Sequence, residues 1–189
     1  MLGLRASRAK NKGKISALYS EKYAGFNMLV RMTKKLQKSL GIPSLKNQVN
    51  DIAPLFMQEW YMNIFNIKKK WFFLNLETTT FYTIVKPFYF INGSQDFITY
   101  FSEIVTEAIK KESSEDYIEK LEINEMHLRN TENKATRRIL VDMAYHAEIM
   151  DYKNKNMSVF ENLNEIPQRL LGYRSSKIAF REELEKIME

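Results

Sequence analysis

Three lysines stand directly ahead of three large rings, Lys68-Lys69-Lys70 before Trp71-Phe72-Phe73, which places cations beside aromatic faces. That pairing can follow a nucleic-acid backbone while stacking its bases. In an extended chain Trp71, Phe73 and Asn75 share one face and Phe72, Leu74 and Leu76 the other, so at least one set is core. The number of helices still to be placed favours burial of the Trp71 face too, which makes the lysine run a hairpin turn or a guard on an edge strand. Lys34, Lys35 and Lys38 form a second group, in which 34 and 38 are neighbours across one helical turn and 35 is displaced by about 100°. They suit phosphate contact without sequence reading, and equally a solvated helix face. Arg137 and Arg138 sit opposite an apolar stripe, where their planar forks suit phosphate or carboxylate.

Catalytic chemistry has less to work with. His127 and His146 are the two histidines, and only the spacing from Asp142 to His146 places two metal ligands on one helical face. Two ligands do not make a zinc site, and no HExxH completes one. The six glycines form neither GxGxxG nor a Walker loop. With no cysteine, a thiolate centre, a disulfide framework and a cysteine nucleophile are all excluded. No catalytic residue, metal ligand or cofactor is assigned, and the reading leans away from an enzyme.

The charge is unevenly spread. Residues 1–46 carry eleven basic side chains and one acid, whereas residues 47–189 carry eighteen basic and twenty-two acidic. A net charge of +6 therefore hides a basic arm joined to a slightly acidic body. Clustered cations favour a phosphate-rich partner, because each neutralised phosphate releases a condensed counterion. Residues 1–27 are polar, basic and poor in apolar side chains, and read as a flexible extension ahead of one domain over residues 28–189. No apolar run reaches the roughly twenty residues of a membrane helix, so a cytoplasmic protein without membrane contact is expected.

The elements that must carry these groups follow from period and punctuation. Residues 28–32 read as a strand, with Thr33 as N-cap of a helix over residues 34–40, Gly41 beyond its end and Pro43 as a stop. Residues 44–54 read as loop. Three aromatic, β-branched runs over residues 58–90, broken at Lys68–Lys70 and Glu77–Thr80, predict an antiparallel meander. Phe97, Phe101, Ile104, Val105 and Ala108 mark an amphipathic helix, followed by a short helix over residues 117–121 and a strand over 123–128. Ile139, Leu140, Met143, Ala144 and Ala147 mark another helix. A short one over residues 158–166 precedes a terminal helix capped by Ser176 and packed through Phe180, Leu184, Ile187 and Met188. The fold class is α+β, an antiparallel sheet packed against three or more helices.

Thr33-Lys-Lys-Leu36 with Gly41-Ile-Pro43, Trp60-Tyr61-x-Asn63, Glu77 with Thr78 to Thr80, Asn130-Thr131, Leu163-Asn-Glu-Ile-Pro167 and Leu171-Gly-Tyr173 stand in order along the chain. Together they resemble an uncharacterised bacterial domain of unknown function over about residues 28–187. The resemblance implies a single α+β domain, sometimes carried on plasmids or other mobile elements, and no established activity. Gln58-Glu59 stands where Gly-Asp commonly precedes the tryptophan, and Arg137-Arg138-Ile139 replaces a smaller, glycine-containing stretch.

The expectation is a non-enzymatic protein that binds nucleic acid or a nucleoprotein complex through Lys34, Lys35, Lys38, Lys68, Lys69, Lys70, Trp71, Arg137 and Arg138. A mobile-element setting extends this to a phage or plasmid anti-defence protein that inhibits an RNA-guided host nuclease. Two alternatives stand beside it. One is a protein-interaction module, a toxin–antitoxin partner or homodimer, anchored on Trp60, Tyr61 and the Trp71 face. The other is a metal-dependent hydrolase or nuclease using His146 and Asp142.

Overall fold

The computed structural model describes residues 26–45, 55–88, 91, 93–113, 123–131, 134–153 and 162–188. The extension over residues 1–25, most of the loop after residue 45, the short helix expected at 117–121 and the start of the one expected at 158–166 lie outside them.

Strand β1 (Phe26–Met32) begins two residues ahead of Met28 and ends at Thr33, whose backbone is still extended. The Thr33 hydroxyl accepts the Leu36 N–H at 3.3 Å and so caps α1 (Lys34–Ser39). Gly41, at φ 65°, takes the left-handed conformation that closes the helix at low cost. Strands β2 (Glu59–Ile67), β3 (Lys70–Glu77) and β4 (Thr83–Pro87) form the expected antiparallel meander. After α2 (Gly93–Glu112) the chain returns as β5 (Ile123–Asn130), then enters α3 (Lys134–Lys153). The large sheet has the order β4-β3-β2-β1-β5, with β1 parallel to both β2 and β5. It is thus a mixed sheet, antiparallel only in its meander half. The parallel half arises because helix-bearing crossovers carry the chain from β1 to β2 and from β4 to β5.

Side chains alternate between two cores. On one face Met28, Val30, Met32, Trp60, Met62, Ile64 and Phe73 pack with Leu36 of α1 and with Phe97, Phe101 and Val105 of α2. On the other, Tyr61, Phe65, Ile67, Phe72, Leu74, Leu76 and Val85 meet Leu140, Met143 and Ala147 of α3. Both faces of the meander are therefore covered, which is why β2 and β3 read as nearly unbroken apolar runs.

Near the C-terminus a two-strand ribbon, β6 (Pro167–Gln168) and β7 (Arg174–Ser175), leads into α4 (Ser176–Met188). The cap is Ser175, whose hydroxyl accepts the Ile178 N–H at 3.3 Å, and not the expected Ser176, which is the first helical residue and fully buried. Phe180 and Leu184 of α4 complete the first core, against Phe56 and Tyr82. Ahead of the ribbon, the described part of the stretch expected as a short helix forms a 3-10 turn over residues 162–165. Its Asn164 lies along the open edge of β4, where its amide donates to the Thr83 carbonyl and accepts the Thr83 N–H, both at 2.7 Å. One side chain thus stands in for a further strand at an edge that would otherwise invite pairing.

Candidate functional site

The lysine run forms the tip of the β2–β3 hairpin. Ile67 pairs with Lys70, which leaves Lys68 and Lys69 as a two-residue connection with φ of 48° and 68°. Positive φ at both central residues is the signature of the type I′ turn, whose twist matches that of the strands it joins and whose preferred residues are Asn and Gly. Lysine at both places carries a Cβ into the left-handed region and costs free energy that Asn-Gly would save. Asn66 offsets part of this, its side-chain oxygen accepting the Lys69 N–H at 3.2 Å. Since β2 and β3 are interior strands, the run is a turn and not an edge guard.

Trp71 and Phe73 share a face, but the face changes character along its length. Phe73 is fully buried, its ring centroid 4.8 Å from that of Phe88 and 5.3 Å from that of Tyr100, and Asn75 is buried as well. Trp71, one step nearer the tip, is 42% exposed. The expected burial holds for Phe73 and stops short of Trp71. Into that gap reaches Lys35 of α1, with its ammonium 4.5 Å from the centre of the Trp71 ring. This cation–π contact joins the two lysine groups that the sequence presents separately. Lys34, Lys35 and Lys38 are all exposed along α1, and Lys68, Lys69 and Lys70 along the tip, with Lys70 turned to the opposite face.

These lysines differ from other cations of the chain in their partners. On α2, α4 and nearby segments cations are matched with carboxylates: Lys86 with Glu107, Arg174 with Glu182, Lys177 with Glu165, Arg181 with Glu112 and Lys186 with Glu183. Among the described residues no carboxylate pairs with Lys34, Lys35, Lys38, Lys69 or Lys70. Unpaired cations packed this closely repel one another, and an anion that joined them would relieve the repulsion.

The remaining candidates fall elsewhere. Arg138 is exposed on α3, across the sheet from Trp71, and the side chain of Arg137 lies outside the described ones. Asp142 and His146 share α3, with Asp142 exposed and His146 half-buried, and no group of three metal-ligating side chains gathers among the described residues. Trp60 is fully buried and Tyr61 5% exposed, in opposite cores, so neither can anchor a protein partner.

The polar residues that carry the family resemblance have structural work instead. The Thr33 hydroxyl donates to Asn63 Oδ1 at 2.8 Å, and the Gln37 amide bridges the Met32 carbonyl and Asn130 Oδ1 at 2.9 and 3.1 Å. Thr131 donates its N–H to the Met32 carbonyl at 3.0 Å. These bonds tie the C-terminal ends of β1 and β5, where α1 and α3 depart, to each other and to the middle of β2. Glu77 organises the opposite end. Its carboxylate accepts the N–H groups of Met57, Thr79 and Thr80 and the hydroxyls of Thr79 and Thr80, at 2.6–3.2 Å, and so closes the β3–β4 turn. Burial pushes its pKa above the ordinary carboxylate value, while the Thr80 and Thr79 donors pull it back.

The family described as Domain of unknown function (DUF6933) matches residues 29–179. The chain belongs to this family. No curated protein and no solved structure matches it. Both lysine groups and Trp71 lie inside the DUF6933 stretch, so the patch is a feature of the folded domain and not of the basic segment before it. No helix among the described residues is long and apolar enough to cross a membrane.

Proposed function

We propose that this DUF6933 protein is a non-enzymatic binder of nucleic acid, free or within a nucleoprotein complex, which it engages with the end of the sheet formed by α1 and the β2–β3 tip. The observation that carries the reading is the Lys68-Lys69 turn. Both residues hold a conformation that disfavours a side chain, and both present an exposed cation there. Backbone strain of this kind persists where the surrounding fold imposes it, and it concentrates at functional sites. Lys34, Lys35 and Lys38, none of them paired with a carboxylate among the described residues, enlarge the same positive end. Such a surface contacts phosphates and reads no sequence.

Counterion release fixes the test. Binding of a labelled oligonucleotide, followed by anisotropy across a salt series, should weaken linearly in logarithmic coordinates, with a slope near 0.7 per phosphate for a single strand. Changing Lys68 and Lys69 to Asn and Gly should reduce both the affinity and the slope. Binding indifferent to salt, or none to any polyanion, would remove the proposal.

A further inference from the structure

We infer that the occupant of this end is a single-stranded nucleic acid, one base of which stacks on Trp71 in place of the Lys35 ammonium. The inference rests on the proposed function and specifies the ligand. Among the described residues Trp71 is the large aromatic that the basic end leaves open, since Phe73 beside it is sealed under Phe88 and Tyr100. Among the described residues the ring's contact is Lys35, at 4.5 Å, on a long side chain that can swing away. Stacking a base is worth more than an exposed cation–π contact, so the exchange is favourable, and the displaced ammonium is free to meet the phosphate that arrives with the base. The spacing suits the exchange. Strand residues rise by about 3.3 Å each, so the tip lysines stand within about 10 Å of Trp71, a reach that covers the phosphates flanking one stacked nucleotide.

A duplex meets the same cations but keeps its bases stacked inside, with no ring face to offer Trp71. The geometry therefore separates the two forms. It makes no distinction between ribose and deoxyribose, because base face and phosphate are common to both.

The chain carries its own reporter. Of its two tryptophans, Trp60 is fully buried and Trp71 is open, so a ligand that changes the emission by contact acts at Trp71. Intrinsic fluorescence of the full chain is titrated with oligothymidylate and oligouridylate of about fifteen nucleotides, a duplex of equal length, and heparin, a polyanion without bases. Both single strands should quench the emission on binding, while heparin and duplex should bind, by anisotropy competition, with little quenching. Trp71→Leu should lower single-strand affinity about tenfold and leave heparin binding unchanged, and Trp71→Phe should recover most of the loss. Circular dichroism checks that each variant is folded. Single strands that bind without altering Trp71 emission, or a Trp71→Leu variant of undiminished affinity, overturn the inference and leave the polyanion proposal standing. Failure of oligonucleotides, duplex and heparin alike to bind overturns that proposal itself.

Discussion

Glu77 is a carboxylate with no exposed surface, yet it accepts hydrogen bonds from three backbone N–H groups and two hydroxyls. Those bonds replace hydration, and withdrawing them strands several donors at once. Glu77→Ala should destabilise the fold by about 3 kcal/mol, measured as a lower urea midpoint with little change in the slope of the transition. Its titration has a defined sign. Burial raises its pKa above about 4.5, so the folded chain holds the proton more tightly than the unfolded one. This contribution to stability is fully present below about 4.5 and is lost as pH rises through the folded value. Urea unfolding across that range should show the decline in the wild type, and Glu77→Gln, though less stable throughout, should lack this component. Asn164 poses a simpler case. Its two 2.7 Å bonds hold the 3-10 turn against Thr83 of β4, and Asn164→Ala should cost about 2–4 kcal/mol. Asn164→Asp should do no better, because its second oxygen would face the Thr83 carbonyl. An unchanged melting temperature in either variant would show that the clamp carries no weight. The first sign of these roles in the sequence is only a polar residue amid turn signals, since a residue's partner twenty or eighty positions away leaves no trace in local spacing.

The hairpin sets function against stability within one element. Replacing Lys68-Lys69 by Asn-Gly supplies the residues a type I′ turn prefers and should stabilise the fold by about 1–2 kcal/mol, read as a higher melting temperature. The same variant should lose polyanion affinity. A variant that gains no stability would mean that the turn stores no strain, and one that keeps full affinity would mean that the tip touches nothing. Other elements were legible to differing degrees. The α1 cap and stop, the meander and the stripes of α2, α3 and α4 could be read because cap chemistry and hydrophobic period are local. The parallel docking of β1 against β2 and β5 could not, because pairing of strands separated by helices is decided by which faces the helices cover. Ser175 and Ser176 show the limit of resolution: either can cap, and burial of the second within the core leaves the first at the helix entrance.

Across the whole molecule, each group of the candidate site could be named from the sequence, while their meeting could not. Lys35 and Trp71 are thirty-six positions apart and touch only because β1 lies beside β2, which directs α1 across the end of the hairpin. The same topology sends α3, and Arg138 with it, to the opposite face. Position, then, should govern binding more than total charge does, and two variants of equal net charge can separate the two. Lys34→Glu with Lys38→Glu changes the net charge by four units at the α1 surface. Lys177→Glu with Lys186→Glu makes the same change on α4, which packs through Phe180 against Tyr82 beside the β3–β4 turn, at the other end of β3. The α4 lysines are already engaged with Glu165 and Glu183, and exposed pairs of that kind contribute about 0–1 kcal/mol, so their loss should be tolerated by the fold. At physiological ionic strength the field of an exposed charge fades over about 8 Å, so the α4 reversal should be nearly invisible from the tip. The α1 pair should lower single-strand affinity about tenfold or more and reduce the salt slope by about 1.4, two phosphates at 0.7 each, whereas the α4 pair should change affinity less than about twofold. Equal losses from both variants would mean that a diffuse positive charge, and not this end of the sheet, attracts the ligand.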